Sequence, residues 1–167
     1  MMLYVLRHGI AEDTSPDGDD ASRRLTPRGR KRVYAAARGM RALDLRFDLI
    51  LMSPLPRASE TAAIVAEVYG SDSVPREFPP LAQGVPPVET ARALRQFARR
   101  AAIVVVGHEP GLSGLISFLL TGSPESVRLA LKKSGLAALD VHDLGQGTGA
   151  TLHWVLAPRQ LRALRKA

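Results

Sequence analysis

The stretch Leu3-Tyr4-Val5-Leu6-Arg7-His8-Gly9 decides how the rest of the chain is read. Four apolar residues without alternation describe a strand covered on both faces, as in a parallel sheet packed between helices. The strand then carries an arginine and a histidine to its carboxyl end, and Gly9 lets backbone approach closely. The same pattern recurs twice. The apolar run 49–52 ends at Ser53-Pro54-Leu55-Pro56-Arg57, and the run 102–106 ends at Gly107-His108-Glu109-Pro110-Gly111. Helical periodicity fills the gaps. Thr26-Pro27 reads as an N-cap followed by proline at the first helical position. Beyond it Val33, Ala36, Ala37, Met40 and Leu43 form an apolar stripe. A second helix is expected over 56–69, with Ala58, Ala62, Val65 and Tyr69 inward, a third over 88–99, and a fourth after Gly111 with Leu112, Leu115, Ile116 and Leu119 on one face. Segment 75–87, rich in Pro and Gly, should be loop with one short strand. Runs 136–142 and 150–156 read as a hairpin at the sheet edge, and a basic helix closes the chain. Strands alternating with amphipathic helices predict an α/β fold: three layers, α/β/α, with a mostly parallel central sheet and a C-terminal edge hairpin. A length of 167 residues suits one domain, residues 1–167.

Composition narrows the function classes. The apolar fraction of 46% argues against disorder. No apolar run is long enough to span a bilayer, and the run 3–6 is too short for a signal peptide, so a cytoplasmic, membrane-free protein is expected. The absence of cysteine removes disulfide frameworks, thiolate zinc sites and cysteine nucleophiles. The net charge of +7 comes from 23 basic against 16 acidic residues, and nineteen of the basic ones are arginine. A basic chain can bind nucleic acid, an anionic membrane or a small anion. No basic run here is interleaved with stacking aromatics, so nucleic acid is not the expected partner.

In open α/β sheets, ligands bind where loops leave the carboxyl ends of the strands. Three such loops carry Arg7 and His8, Arg57, and His108 with Glu109. Arg57 also lies at the start of a helix, where free backbone N–H groups and the dipole favour an anion. Two arginines, two histidines and a helix N-terminus suit a tetrahedral dianion, because the guanidinium fork gives paired charge-assisted hydrogen bonds.

Leu6-Arg7-His8-Gly9, the run from Ser53-Pro54-Leu55-Pro56-Arg57-Ala58 through Thr61-Ala62, and Gly107-His108-Glu109-Pro110 resemble the histidine phosphatase (phosphoglycerate mutase-like, or RHG) superfamily. The small size, Ala11, and the stretch from Asp20 through Arg24-Leu25-Thr26 to Gly29 resemble its SixA-type phosphohistidine phosphatase branch. The resemblance implies that fold, and it implies His8 as a nucleophile that becomes a phosphohistidine. It assigns Arg7 and Arg57 to clamp the phosphoryl oxygens and His108 to donate a hydrogen bond to them. No metal or other cofactor is implied, and inorganic phosphate is the product. Larger relatives carry a glutamate before the third helix, but 80–84 here has no carboxylate. The acids Glu12, Asp13, Asp17, Asp19, Asp20 or Glu109 are candidate proton donors, and Glu109 is the one named for the site. The bland alternative for the loop acids is a solvated segment. The implied partner is a phosphorylated protein, a phosphohistidine carrier domain, because a short chain without a lid should have an open site. A small phosphate ester is the alternative substrate, and a non-catalytic phosphoprotein-binding module the alternative from another class.

Other features read as structural. Gly145-Gln146-Gly147-Thr148-Gly149 lies between two strands and is a hairpin turn rather than a phosphate loop. His142 and His153 fall on the hairpin, and the stripe Arg159, Arg162, Arg165 reads as a solvated helix face.

Overall fold

The computed structural model describes residues 1–70, 74–145 and 147–164; Arg165 and Gln146 therefore lie outside the described residues. Strands β1 (Met2–Arg7), β2 (Leu49–Met52), β3 (Arg76–Glu77), β4 (Ala102–Gly107), β5 (Leu136–Asp143) and β6 (Gly149–Leu156) form one sheet in the order β3-β2-β4-β1-β5-β6. The pairs β1–β4, β2–β4 and β2–β3 are parallel, whereas β5 runs antiparallel to both β1 and β6. The hairpin therefore forms one edge, as its strand-like runs and Gly-rich turn predict.

The unalternating strand at the start sits in the middle of this sheet. Leu3 and Val5 pack on one side with Leu94, Leu112, Leu115 and Ile116, from helices α3 (Pro87–Leu94) and α4 (Gly111–Thr121). Tyr4 and Leu6 pack on the other with Ala36, Met40, Ala58, Ala62 and Leu161, from α1 (Pro27–Ala42), α2 (Pro56–Tyr69) and α5 (Pro158–Leu164). Both faces of one strand are buried, so polar residues enter only where the strand ends. Each fully buried aliphatic side chain contributes about 1.5–3 kcal/mol, which fixes the register that brings Arg7 to the rim.

Local signals account for the helix starts. Thr26 Oγ1 accepts from Gly29 N at 2.9 Å, with Pro27 at the first helical position. Helix α2 begins at Pro56, as predicted. Two expectations change. Leu43 is 37% exposed, because α1 ends at Ala42 and the chain turns there, leaving the last residue of the stripe off the face. The third helix is α-helical only to Leu94 and tightens into a 3-10 turn at Arg95–Phe97. That turn brings Leu94 and Phe97 together into the core, and Phe97 meets Phe78 edge-on at 5.7 Å.

Candidate active site

The parallel register brings three loops to one end of the sheet. Arg7 pairs with Gly107 across β1 and β4, and Ser53 N donates to Val106 O at 2.9 Å. His8 follows β1, His108 follows β4, and Arg57 stands one residue into α2. The two imidazole rings lie 5.0 Å apart. His8, Arg57 and His108 are 5%, 1% and 5% exposed. These side chains are buried at the carboxyl ends of the strands.

The acid-rich loop reaches this cluster at Arg57. There the buried Arg57 reaches Asp20: Arg57 Nη1 donates to Asp20 O at 2.7 Å and Nη2 to Asp20 Oδ2 at 3.1 Å. Arg57 Nη2 also donates to Gln83 Oε1 at 2.7 Å. The other carboxylate oxygen of Asp20 pairs with Arg23 Nη2 at 2.8 Å, and Arg23 Nη1 donates to Glu12 O. Asp20 is thus both solvated and paired with Arg57, its side chain 59% exposed. Its neighbours Asp17 and Asp19 are spent on turn hydrogen bonds with Ser15, Asp19 N and Ala21 N. Glu109, the acid named from sequence, lines one pocket with Gln83 and His108. Its carboxylate accepts from Ser113 N and Oγ at 3.3 and 2.6 Å, in the first turn of α4.

The nucleophile-type histidine is held by its neighbour. His8 Nδ1 lies 2.7 Å from Gly9 O. A carbonyl only accepts, so Nδ1 carries the proton and Nε2 keeps its lone pair. A Cβ at Gly9 would lie 2.5 Å from Val33 Cγ2, so any side chain there would force the core beside it to shift. Gly9 N donates to Thr61 Oγ1 at 3.0 Å, and Thr61 Oγ1 donates to Arg57 O at 2.7 Å. One buried hydroxyl thus couples the histidine loop to the helix bearing Arg57. On the far side Arg7 Nη1 donates to Leu131 O, and Ser134 N donates to the carbonyls of Arg7 and His8.

Electrostatics keep both histidines neutral. Burial is the main cause that pushes His8 down to about 3, helped by His108, Arg57 and Arg7 and opposed by the Gly9 hydrogen bond. Burial first, then Arg57, holds His108 at about 4, with Asp20 acting in the opposite direction. Three arginine donors and one imidazole nitrogen are left over among the described residues. Arg7 Nε, Arg23 Nε, Arg57 Nε and His108 Nδ1 are buried without a hydrogen-bond partner. Each arginine is anchored through its outer nitrogens by protein oxygens and retains an inner N–H. A buried, unsatisfied donor costs about 1–3 kcal/mol, and an oxyanion bound among them would repay that cost.

Sequence reading finds the four central residues and misses those that support them. Arg23 and Gln83 carry no sequence signal for this site, and Asp20, though part of the stretch that resembles the SixA-type branch, is not marked there as a partner of Arg57. Thr61 is readable in part, since it follows Arg57 by four positions on one helix. No group of three His, Asp or Glu side chains suited to a metal ion occurs among the described residues. His142 and His153 are exposed on the hairpin, away from the pocket. No helix among the described residues is long and apolar enough to cross a membrane.

Residues 3–78 match the model of the histidine phosphatase superfamily, branch 1. An uncharacterized protein of Picosynechococcus is 36% identical over 148 residues, covering 83% of this chain and 84% of that one. The phosphohistidine phosphatase SixA of Escherichia coli is 23% identical over 165 residues, 97% of each chain. Among solved structures, the protein histidine phosphatase SixA complexed with tungstate superposes with a TM-score of 0.84 at 21% identity, covering 96% of this chain and 99% of that one. The alpha-ribazole phosphatase of Shigella flexneri gives 0.75 at 22% identity, covering 95% and 97%. These likenesses between structures are likenesses of fold. With the matching family model and the three loops converging on His8, they make this chain a member of the histidine phosphatase superfamily.

Proposed function

We propose that this phosphatase works through a phosphohistidine at His8, without a metal, and that its substrate is phosphohistidine on a carrier protein. The observation that carries the reading is the set of unpaired buried donors, Arg7 Nε, Arg57 Nε and His108 Nδ1, around a neutral imidazole whose Nε2 lone pair is free. In the first step Nε2 of His8 attacks phosphorus in line. The phosphorus–nitrogen bond of the substrate breaks, and the leaving imidazole takes a proton. Arginine N–H groups and His108 hold the three phosphoryl oxygens as charge shifts among them, which is the main need of a loose phosphoryl-transfer transition state. Water then attacks the phosphorylated His8, the new phosphorus–nitrogen bond breaks, and inorganic phosphate leaves as His8 returns to its neutral state.

Two points favour a phosphoramidate substrate. Glu109 is committed to Ser113, and 80–84 offers Gln83 where a carboxylic acid would be needed to protonate an alkoxide. The leaving nitrogen of a phosphoramidate can take its proton before the phosphorus–nitrogen bond breaks and depart as neutral imidazole, whereas an ester oxygen is too weakly basic to be protonated in advance and needs a positioned acid. The likeness to SixA points the same way. A second reading, a small phosphate monoester, is favoured by the likeness to an alpha-ribazole phosphatase.

The test is turnover of a phosphohistidine carrier protein, phosphoserine and small phosphate esters, each with and without chelator. Phosphohistidine should turn over fastest, chelator should have no effect, and His8→Ala should abolish activity. Faster hydrolysis of sugar phosphates would overturn the substrate, and full activity of His8→Ala would overturn the nucleophile.

A further inference from the structure

His108 Nε2 lies 2.8 Å from Ser53 Oγ, while its Nδ1 is buried without a partner. Ser53 has no exposed surface. It directly follows β2, and its backbone N–H is bonded to Val106 O, two residues before His108. The hydroxyl oxygen also accepts from Leu55 N at 3.3 Å. A hydroxyl has one proton to give, and a buried O–H with no acceptor is costly. Among the described residues, the acceptor within reach of that proton is His108 Nε2.

Two tautomers of a neutral His108 can be compared. With the ring proton on Nδ1, Ser53 donates to Nε2, and every polar atom of the pair is used except Nδ1–H. With the proton on Nε2, the Ser53 hydroxyl proton loses its acceptor. Nδ1 would then face the pocket with a lone pair, which repels an arriving phosphoryl oxygen. Burial excludes the doubly protonated ring at neutral pH, so the choice between tautomers decides whether His108 can donate at all.

We propose that Ser53 is a positioning residue that fixes His108 as the Nδ1–H tautomer and thereby leaves it a neutral hydrogen-bond donor for the phosphoryl group. The inference rests on reading the pocket as a phosphoryl site, and it extends that reading to a residue that makes no contact with the reacting atoms. Neutrality has a consequence. A charged imidazolium would grip the dianionic product, whereas an N–H donor in a neutral ring stabilises charge in passing and releases phosphate.

The test uses the full chain labelled with nitrogen-15. Long-range proton–nitrogen spectra of the imidazole rings at neutral pH should give His108 a protonated Nδ1 and a bare Nε2. Ser53→Ala should mix or invert that pattern, and Ser53→Thr, which keeps the hydroxyl, should restore it. Binding of tungstate and of inorganic phosphate should weaken about tenfold in Ser53→Ala, the loss expected for one charge-assisted hydrogen bond, and recover in Ser53→Thr. With substrate, kcat should fall more than KM rises. A wild-type His108 protonated on Nε2 would overturn the proposal, and that spectrum needs no variant to fold. So would Ser53→Ala with unchanged tautomer and anion affinity. Because the spectra contain no substrate, failure to hydrolyse phosphohistidine would count against the substrate assignment and leave the tautomer result standing.

Discussion

Replacing Thr61 with Val isolates the one hydroxyl that joins the histidine loop to the arginine helix. The side chain is fully buried, and valine matches its shape. Thr61 Oγ1 makes two bonds that valine would lose, and they differ in worth. The bond it donates to Arg57 O is a backbond within α2, and the helix ladder still uses that carbonyl. The bond it accepts from Gly9 N crosses between elements and is buried. Removing it strands a backbone donor, which costs about 1–3 kcal/mol. Thr61→Ser keeps both bonds and gives up one buried methyl, about 1 kcal/mol. With urea slopes of about 1–3 kcal/mol/M for small domains, the Val variant should unfold roughly 1 M earlier than the parent, with an unchanged slope. Activity should separate the variants further. In the Val variant the loop at Gly9 is no longer tied to α2, so His8 and Arg57 lose their common reference, and kcat should fall at least tenfold, as positional catalysis demands. The Ser variant should keep most of its activity. A Val variant as stable and as active as the parent would refute the argument, and so would a Ser variant that is the worse of the two.

The other expectations can be checked on the same preparation. Asp20→Ala removes a carboxylate that holds Arg57 and Arg23, at a position 59% exposed in the side chain. Such a pair is worth at most about 1 kcal/mol, so inorganic phosphate should bind about two- to fivefold tighter by calorimetry; weaker binding would mean that Asp20 holds Arg57 in place instead of competing with the anion. His8 and His108 titrate near 3 and 4 in the folded chain, below the ordinary value of 6.5. The unfolded chain therefore takes up more protons as pH drops, and stability should be highest above pH 6.5 and decline progressively toward pH 3; a protein equally stable at pH 4.5 and 7 in urea would contradict this. Gly39 sits where α1 meets α5, and a Cβ there would lie 1.8 Å from Leu161 O. Gly39→Ala should cost about 3 kcal/mol or more by thermal melting, since a backbone carbonyl cannot step aside as a side chain would.

Local chemistry alone carried much of this protein. Buried strands without alternation, Thr26-Pro27 at a helix start and Pro56 at another are short-range signals, and they place Arg7, His8, Arg57 and His108 at strand ends before any contact is known. Tertiary structure decided whatever depends on a partner distant in the chain. Asp20 reaches Arg57 across 37 residues, Ser53 reaches His108 across 55, and Arg7 reaches Leu131 across 124. A hydrogen bond needs a direction and a distance within a few tenths of an ångström, and periodicity carries neither. The sequence chose the chemical groups; the packing chose which nitrogen of each is left to use.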